Sequence, residues 1–93
     1  MVGSRGPAVT IRFRVIEEGN VRRVRLEGRL SGEEIEELEE VVGNDPRLTY
    51  LDLAELRSVD ARGLALLRRL RREGFEMREM PPHLGWRIEE DSS

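Results

Sequence analysis

The chain of 93 residues has no lysine, no cysteine and a single histidine, His83. Without lysine there is no amine for a Schiff base and none for the phosphate contact of a P-loop. Without cysteine there is no disulfide, no thiol nucleophile and no thiolate metal site, and the chain is compatible with a reducing cytoplasm. These absences exclude many kinds of enzyme, and we expect no catalytic function, no cofactor and no bound metal.

Long apolar runs and an excess of positive charge are absent as well. No stretch approaches the roughly 20 apolar residues that a membrane-spanning helix needs. The net charge of −3 gives no overall attraction to nucleic acid or to an anionic membrane. We therefore expect a cytoplasmic protein with no nucleic-acid partner and no membrane insertion.

Alternation of apolar and polar residues predicts strands that each have one apolar and one polar face. A helical period predicts two amphipathic helices. At the start of the first helix, Ser31 and Glu34 have the spacing of a capping box, and Asp60 stands at the N-cap position of the second. A short helical segment follows Pro81 and Pro82. The predicted strands are 9–16, 21–27, 48–54 and 75–79, and the predicted helices are 32–42 and 61–73.

Because each strand has only one apolar face, the helices are expected on one side of the sheet. The predicted fold class is α/β, with a β-hairpin continued by parallel strands and the helices stacked on one face. The acidic first helix then lies beside the arginine-rich second helix. Residues 9–90 form a single domain in this interpretation, residues 1–8 a flexible N-terminal tail and residues 91–93 a C-terminal tail.

The segment 57–63 is the strongest candidate for a functional site. It follows a parallel strand and opens a helix, the place where α/β folds most often bind ligands and where free backbone N–H groups favour anions. It can equally be an ordinary capped turn. The candidate residues for binding a partner or an anion are Ser58, Asp60, Ala61, Arg62 and Gly63.

At this segment the sequence resembles a known family. LDLAELRSVDARGLALLRRL is similar to the signature of STAS domains, which include anti-sigma factor antagonists and regulatory domains of sulfate transporters. VRLEGRLSGEEIEELEE and GFEMREMPPHLGWRIEE resemble the preceding and following elements, so that the resemblance covers residues 9–90. It implies a protein-binding module whose partner is an anti-sigma factor kinase or a transporter subunit, as in lipid-transport complexes.

The sequence departs from that family at one important position. In members that a kinase switches, a hydroxyl residue stands just after the aspartate that matches Asp60, whereas here Ala61 and Arg62 follow it. A phosphate would add about −1.5 to −2 charges at this helix start, and Arg62 adds a positive charge instead. Ser58 precedes Asp60, so the family role does not transfer to it. The resemblance thus implies an anti-sigma factor antagonist-like module that lacks the usual phosphoacceptor.

Other interpretations remain open at this point. The helix start with Arg62 could sense a nucleotide or another anion, or the chain could be a regulatory subunit of an ABC-type transporter. A structural role, with weak homodimers formed through the uncovered sheet face, is a third interpretation. A phosphorylated receiver domain is excluded because the chain lacks the lysine and the length. Asp52 is then a residue on the open sheet face, and His83 a residue at the edge of the domain that covers the core.

Overall fold

The computed structural model describes residues 11–89, apart from the side chains of Trp86 and Glu89. The predicted tails and the predicted strand positions 9 and 10 lie outside these residues. The strands are β1 (Ile11–Glu18), β2 (Val21–Leu30), β3 (Thr49–Asp52), β4 (Leu56–Val59) and β5 (Glu76–Arg78). The helices are a 3₁₀ turn (Gly32–Glu34) that leads into α1 (Ile35–Val42), then α2 (Ala61–Arg72) and α3 (Pro82–Glu89).

The five strands form one mixed sheet around β2. β1 and β2 make the predicted antiparallel hairpin, in register from Ile11 opposite Gly28 to Glu18 opposite Val21. β3 lies parallel to the first half of β2, and β5 lies parallel to β3 on its outer side. β4 lies parallel to the last part of β2, beyond the end of β3. The predicted hairpin with added parallel strands is therefore confirmed.

The strand β4 corrects the sequence interpretation. The single strand predicted at 48–54 ends at Asp52, and the chain turns at Ala54 and Glu55 before it pairs again with β2. β2 itself continues to Leu30, so the backbone groups at its end need a partner that β3 does not reach. β4 supplies that partner. The turn contains neither glycine nor proline, which is why the pattern did not indicate two strands.

The core lies on one face of the sheet, beneath the helices. Val24 and Leu26 of β2 are fully buried, and so are Leu51 of β3 and Leu53 just after it. The helices add the buried stripes that their periodicity predicts, and each fully buried leucine or valine contributes about 1.5–3 kcal/mol. The stripes consist of Leu38 and Val42 from α1 and Leu64, Leu67 and Leu70 from α2. The α/β fold class is confirmed.

The opposite face of the sheet is polar, and part of it is covered by its own side chains. Arg23 bridges Glu18, at 2.9 Å, and Asp52, at 3.0 Å. Tyr50 donates a hydrogen bond of 2.8 Å to Glu18, and the Arg78 guanidinium lies 3.9 Å from the centre of the Tyr50 ring. The Tyr50 hydroxyl, and after it Arg23, lower the pKa of Glu18.

Asp52 lies on this polar face, as the alternation predicts, but it is not open to solvent. Its side chain pairs with Arg23 and accepts the Ala54 backbone N–H at 3.0 Å, and the residue is only 4% exposed. Asp52 therefore lies on the predicted face, and the longer arginine side chain covers the shorter carboxylate. Asp52 stabilises the sheet and the turn that leads to β4.

The helices are joined to each other by arginines. Arg69 of α2 pairs with Glu39 of α1, which confirms that the acidic and basic helices face each other. Arg68 donates two hydrogen bonds, of 3.2 and 2.6 Å, to the backbone carbonyl of Arg87 near the end of α3. The arginine face of α2 is therefore partly used for packing within the chain.

Candidate functional site

The turn between β4 and α2 is organised by the carboxylate of Asp60. One oxygen accepts the Gly63 backbone N–H at 2.7 Å, which is the N-cap interaction that the sequence predicts. The other oxygen accepts the backbone N–H of Gly32 at 2.9 Å. Asp60 therefore holds the beginnings of both helical segments together. This second contact joins residues 28 positions apart, and local sequence patterns give no sign of it.

These hydrogen bonds determine the electrostatics of the aspartate. The Gly63 N–H, followed by the Gly32 N–H, lowers the pKa of Asp60, and the nearby arginines Arg29 and Arg62 lower it further. Asp60 is consequently a fixed negative charge in solution at neutral pH. It acts as a structural cap that is already satisfied by backbone donors.

Gly63 allows the start of α2 to approach β2 closely. A Cβ placed on Gly63 would lie 2.9 Å from the backbone oxygen of Leu30 and 3.1 Å from its Cγ. The same Leu30 oxygen accepts the Asp60 N–H at 3.0 Å. A backbone hydrogen bond thus fixes the turn against the end of β2, and the absence of a side chain at Gly63 leaves room for this close approach.

The exposed surface of the turn consists of a few short side chains and two arginines. Ala61, Arg62 and Ser58 are exposed, and so is Arg29, which lies opposite Ser58 in the pairing of β2 with β4. The side chain of Arg62 lies over Gly32, because a Cβ on that glycine would be 2.9 Å from Arg62 Cδ. Sequence reasoning missed Arg29, since only the register of β4 places it here.

The structure brings together four of the five candidate residues and sets one apart. Asp60, Ala61, Arg62 and Gly63 form the first turn of α2 with its cap. Ser58 was expected in a loop, but it lies in β4, and the buried Val59 separates it from Asp60. The expectation of a loop was therefore wrong for Ser58. Its side chain is nevertheless exposed and lies at the rim of the same surface.

The charge of this surface is positive. Within residues 11–89, neither Arg29 nor Arg62 forms an ion pair, although ion pairs engage many arginines elsewhere on the sheet. Two exposed guanidinium groups therefore flank the turn, each close enough to Asp60 to lower its pKa, and the three charged groups together have a net charge of +1. A surface of this kind favours carboxylate or phosphate groups of a binding partner.

The sequence has one histidine, and it lies apart from the turn. His83 is exposed, and its Nε2 lies 3.2 Å from the backbone oxygen of Arg57. No hydrogen bond joins it to Ser58 in the part of the chain that the structure describes, so no nucleophile and base are paired there. Among residues 11–89, no group of three histidines or carboxylates has the arrangement of a metal site, and no helix is long and apolar enough to cross a membrane.

Comparisons with known proteins agree with the fold. No protein-family model matches the chain, and no curated protein matches it. Among solved structures, the crystal structure of an antisigma-factor antagonist, a STAS domain from Rhodobacter sphaeroides, is similar, with a TM-score of 0.54 and 20% sequence identity. The match covers 78% of this chain and 98% of that one. The chain therefore has the STAS fold that its sequence motifs predict.

Proposed function

We propose that the protein is a non-enzymatic interaction module of the STAS type that binds an acidic surface of another protein through the turn at the start of α2. The binding surface comprises Asp60 to Gly63 together with Ser58 and Arg29. Its partner is an anti-sigma factor of the kinase type or a subunit of a transporter.

The observation that carries the proposal is the exposed pair Arg29 and Arg62 on a rigid turn. Both side chains lack an ion pair within residues 11–89, while the backbone beneath them is fixed by Asp60 and Gly63. The interaction of a positively charged group with the helix dipole near the N-terminus is unfavourable by roughly a few tenths of a kcal/mol. A carboxylate from a partner would offset that cost, and rigid positioning lowers the entropy lost on binding.

The turn also lacks a phosphoacceptor, which sets the expected mode of regulation. Ala61 and Arg62 have no hydroxyl group, and Ser58 lies on a strand rather than at the helix start. We infer constitutive binding, with Arg62 providing a permanent contact to the partner. Incubation with ATP and the partner kinase, followed by intact mass measurement, should show no phosphate at residues 61–63. Phosphorylation of Ser58 that abolishes binding would contradict constitutive binding.

An affinity pull-down from the source cell with charge-reversed baits tests the binding surface. Arg62→Asp should lose a partner that the wild-type chain retains. Arg47→Asp is the control, since the Arg47 side chain is 87% exposed, pairs only with Asp45 among the described residues, and precedes Leu48, whose backbone oxygen accepts the Arg22 N–H at the other end of β2 from the turn. Arg22 and Leu30 are eight positions apart along β2, which corresponds to about 25 Å, so the control substitution lies far from the turn. Equal capture by both variants would contradict the proposal.

Anion sensing at the same turn is a weaker proposal. The two unpaired arginines favour it, but the Asp60 carboxylate already accepts the Gly63 and Gly32 N–H groups that a phosphate would need. A bound phosphate would also lie beside that negative charge. Calorimetric titration with nucleotides separates the proposals, because nucleotide sensing requires an affinity that Arg62→Ala abolishes.

A further inference from the structure

A second positively charged surface lies on the open face of the sheet, away from the helices. A groove of about 540 Å³ runs between the start of β1 and the start of β4. Among the described residues its charged side chains are four arginines and two glutamates, with a net charge of +2. It is lined by Ile11, Arg12, Arg14, Arg25, Glu27, Gly28, Glu55 and Arg57.

The two glutamates satisfy these arginines only in part. Arg25 lies 3.4 Å from Glu55 and 3.6 Å from Glu27, and Arg14 lies 3.5 Å from Glu27. Strong hydrogen bonds between guanidinium and carboxylate groups are shorter, at about 2.7–2.9 Å. The Arg25 Nε is buried, lies 3.6 Å from Glu27 and has no hydrogen-bond partner among the described residues. Arg12 and Arg57 form no ion pair to any residue in the described range 11–89.

The register of the hairpin places two of these arginines against each other. Arg14 of β1 lies directly opposite Arg25 of β2. Side chains at directly opposed positions are about 4.5–5.5 Å apart at Cβ, and like charges there destabilise a sheet. Elsewhere on the same face, arginine is compensated closely, as Arg23 is by Glu18 and Asp52. The arginines of the groove are therefore less closely compensated than Arg23.

We propose that this groove binds a phosphate monoester of a small hydroxylated molecule, with Arg12, Arg14, Arg25 and Arg57 around the phosphate. Guanidinium groups match phosphate oxygens with paired hydrogen bonds, which their exposed terminal nitrogens donate. The groove is shallow and open to solvent, so the charged phosphate provides the main contact and the rest of the molecule stays largely exposed. Glu27 and Glu55 accept from ligand hydroxyls and repel a continuous polyanion such as nucleic acid.

This site is separate from the proposed protein-binding turn. The groove lies between β1 and the first residues of β4 and adjoins Ser58 and Arg29 at the rim of the proposed binding surface, whereas Arg62 at the start of α2 lies outside the groove. Binding at the groove does not depend on the function proposed for the turn. Arg62→Ala should leave groove binding unchanged, so the two proposals fail independently.

Calorimetry at low ionic strength tests the groove, with ribose 5-phosphate as the probe, ribose as the uncharged control and inorganic phosphate as the minimal anion. We expect binding of ribose 5-phosphate, weaker binding of phosphate and none of ribose. Arg12→Ala with Arg57→Ala should weaken binding at least tenfold, and because neither side chain has an ion pair, circular dichroism should remain unchanged. Arg47→Ala removes the same type of charge elsewhere and should have no effect.

Vesicles containing phosphatidic acid determine whether the phosphate monoester can also come from a lipid. Co-sedimentation that the same double substitution abolishes assigns the groove to a lipid headgroup, and retention of the protein in solution assigns it to a soluble ester. Failure to bind either source would overturn the proposal. An equal loss of binding in Arg47→Ala would also overturn the proposal, since binding would then depend on the overall charge of the protein and not on the groove. Amide shifts of the wild-type chain at residues 11–14, 25–28 and 55–57 should report the same site.

Discussion

Replacement of Gly63 by alanine tests the close approach that positions the turn. Alanine is better than glycine in a helix by about 1 kcal/mol, so helix propensity alone predicts stabilisation. In this structure the new Cβ would meet the Leu30 backbone oxygen at 2.9 Å and the Asp60 carboxylate at 3.3 Å. The tertiary contact therefore predicts that Gly63→Ala lowers the stability of the fold, whereas helix propensity predicts that it raises it.

The size of the destabilisation depends on whether the atoms around the new Cβ can move away from it. Overpacking of this kind costs about 1–3 kcal/mol. The Leu30 oxygen is backbone, and it cannot retreat without stretching its hydrogen bond from the Asp60 N–H. The upper part of the range applies, and after subtraction of the propensity gain we expect Gly63→Ala to be destabilised by about 1–2 kcal/mol. For a domain of this size, each kcal/mol lowers the melting temperature by about 4–8 °C.

Urea denaturation followed by circular dichroism measures the effect, with Gly32→Ala as the matched control. A Cβ on Gly32 would also come within 2.9 Å of another atom, but that atom is the Cδ of the flexible Arg62 side chain. Arg62 can move, so the control should change stability by less than about 0.5 kcal/mol. A Gly63→Ala protein as stable as the wild type, or a larger loss in Gly32→Ala, would refute the close approach of α2 to β2.

Three further comparisons test other parts of the structure. Arg23→Ala should lower the urea midpoint more than Arg22→Ala, because it leaves a buried aspartate unpaired, whereas the Arg22 pair is exposed on both sides; equal losses would contradict this. Since backbone N–H groups lower the pKa of Asp60, its charged form stabilises the fold above about pH 4 and that contribution is lost as pH falls further. The stability difference between wild type and Asp60→Asn should therefore shrink in acid, and a difference independent of pH would count against the cap. Leu67→Ala should cost about 2–5 kcal/mol and Leu48→Ala less than about 1, because the first side chain is fully buried and the second is 48% exposed; similar losses would contradict the packing.

Patterns along the chain predicted the parts of the fold that depend on local periodicity. Alternation identified the hairpin, and the buried leucines of α2 recur at the predicted helical spacing. Asp60 was predicted as the cap because its N–H partner, Gly63, is only three residues away. The combined order of these elements was also enough to predict the STAS fold.

The remainder depends on contacts between distant residues. The strand β4 has four residues and forms because the end of β2 needs a backbone partner, which no local pattern shows. The pairing of Ser58 with Arg29 follows only from that strand, and it completes the proposed binding surface. Burial of Asp52 depends on Arg23, which is 29 residues away in sequence. The cap at Asp60 was therefore predictable from the sequence, while the arrangement of side chains around the turn was not.

Chemical-shift mapping of the captured partner onto the isotopically labelled chain is the most direct test of the central claim that the turn recognises a protein. The account predicts that partner addition shifts the amides of residues 58–65 and of Arg29, and that Arg62→Asp removes those shifts. Shifts confined to the open face of the sheet or to α1, with the turn unaffected, would contradict the proposed function.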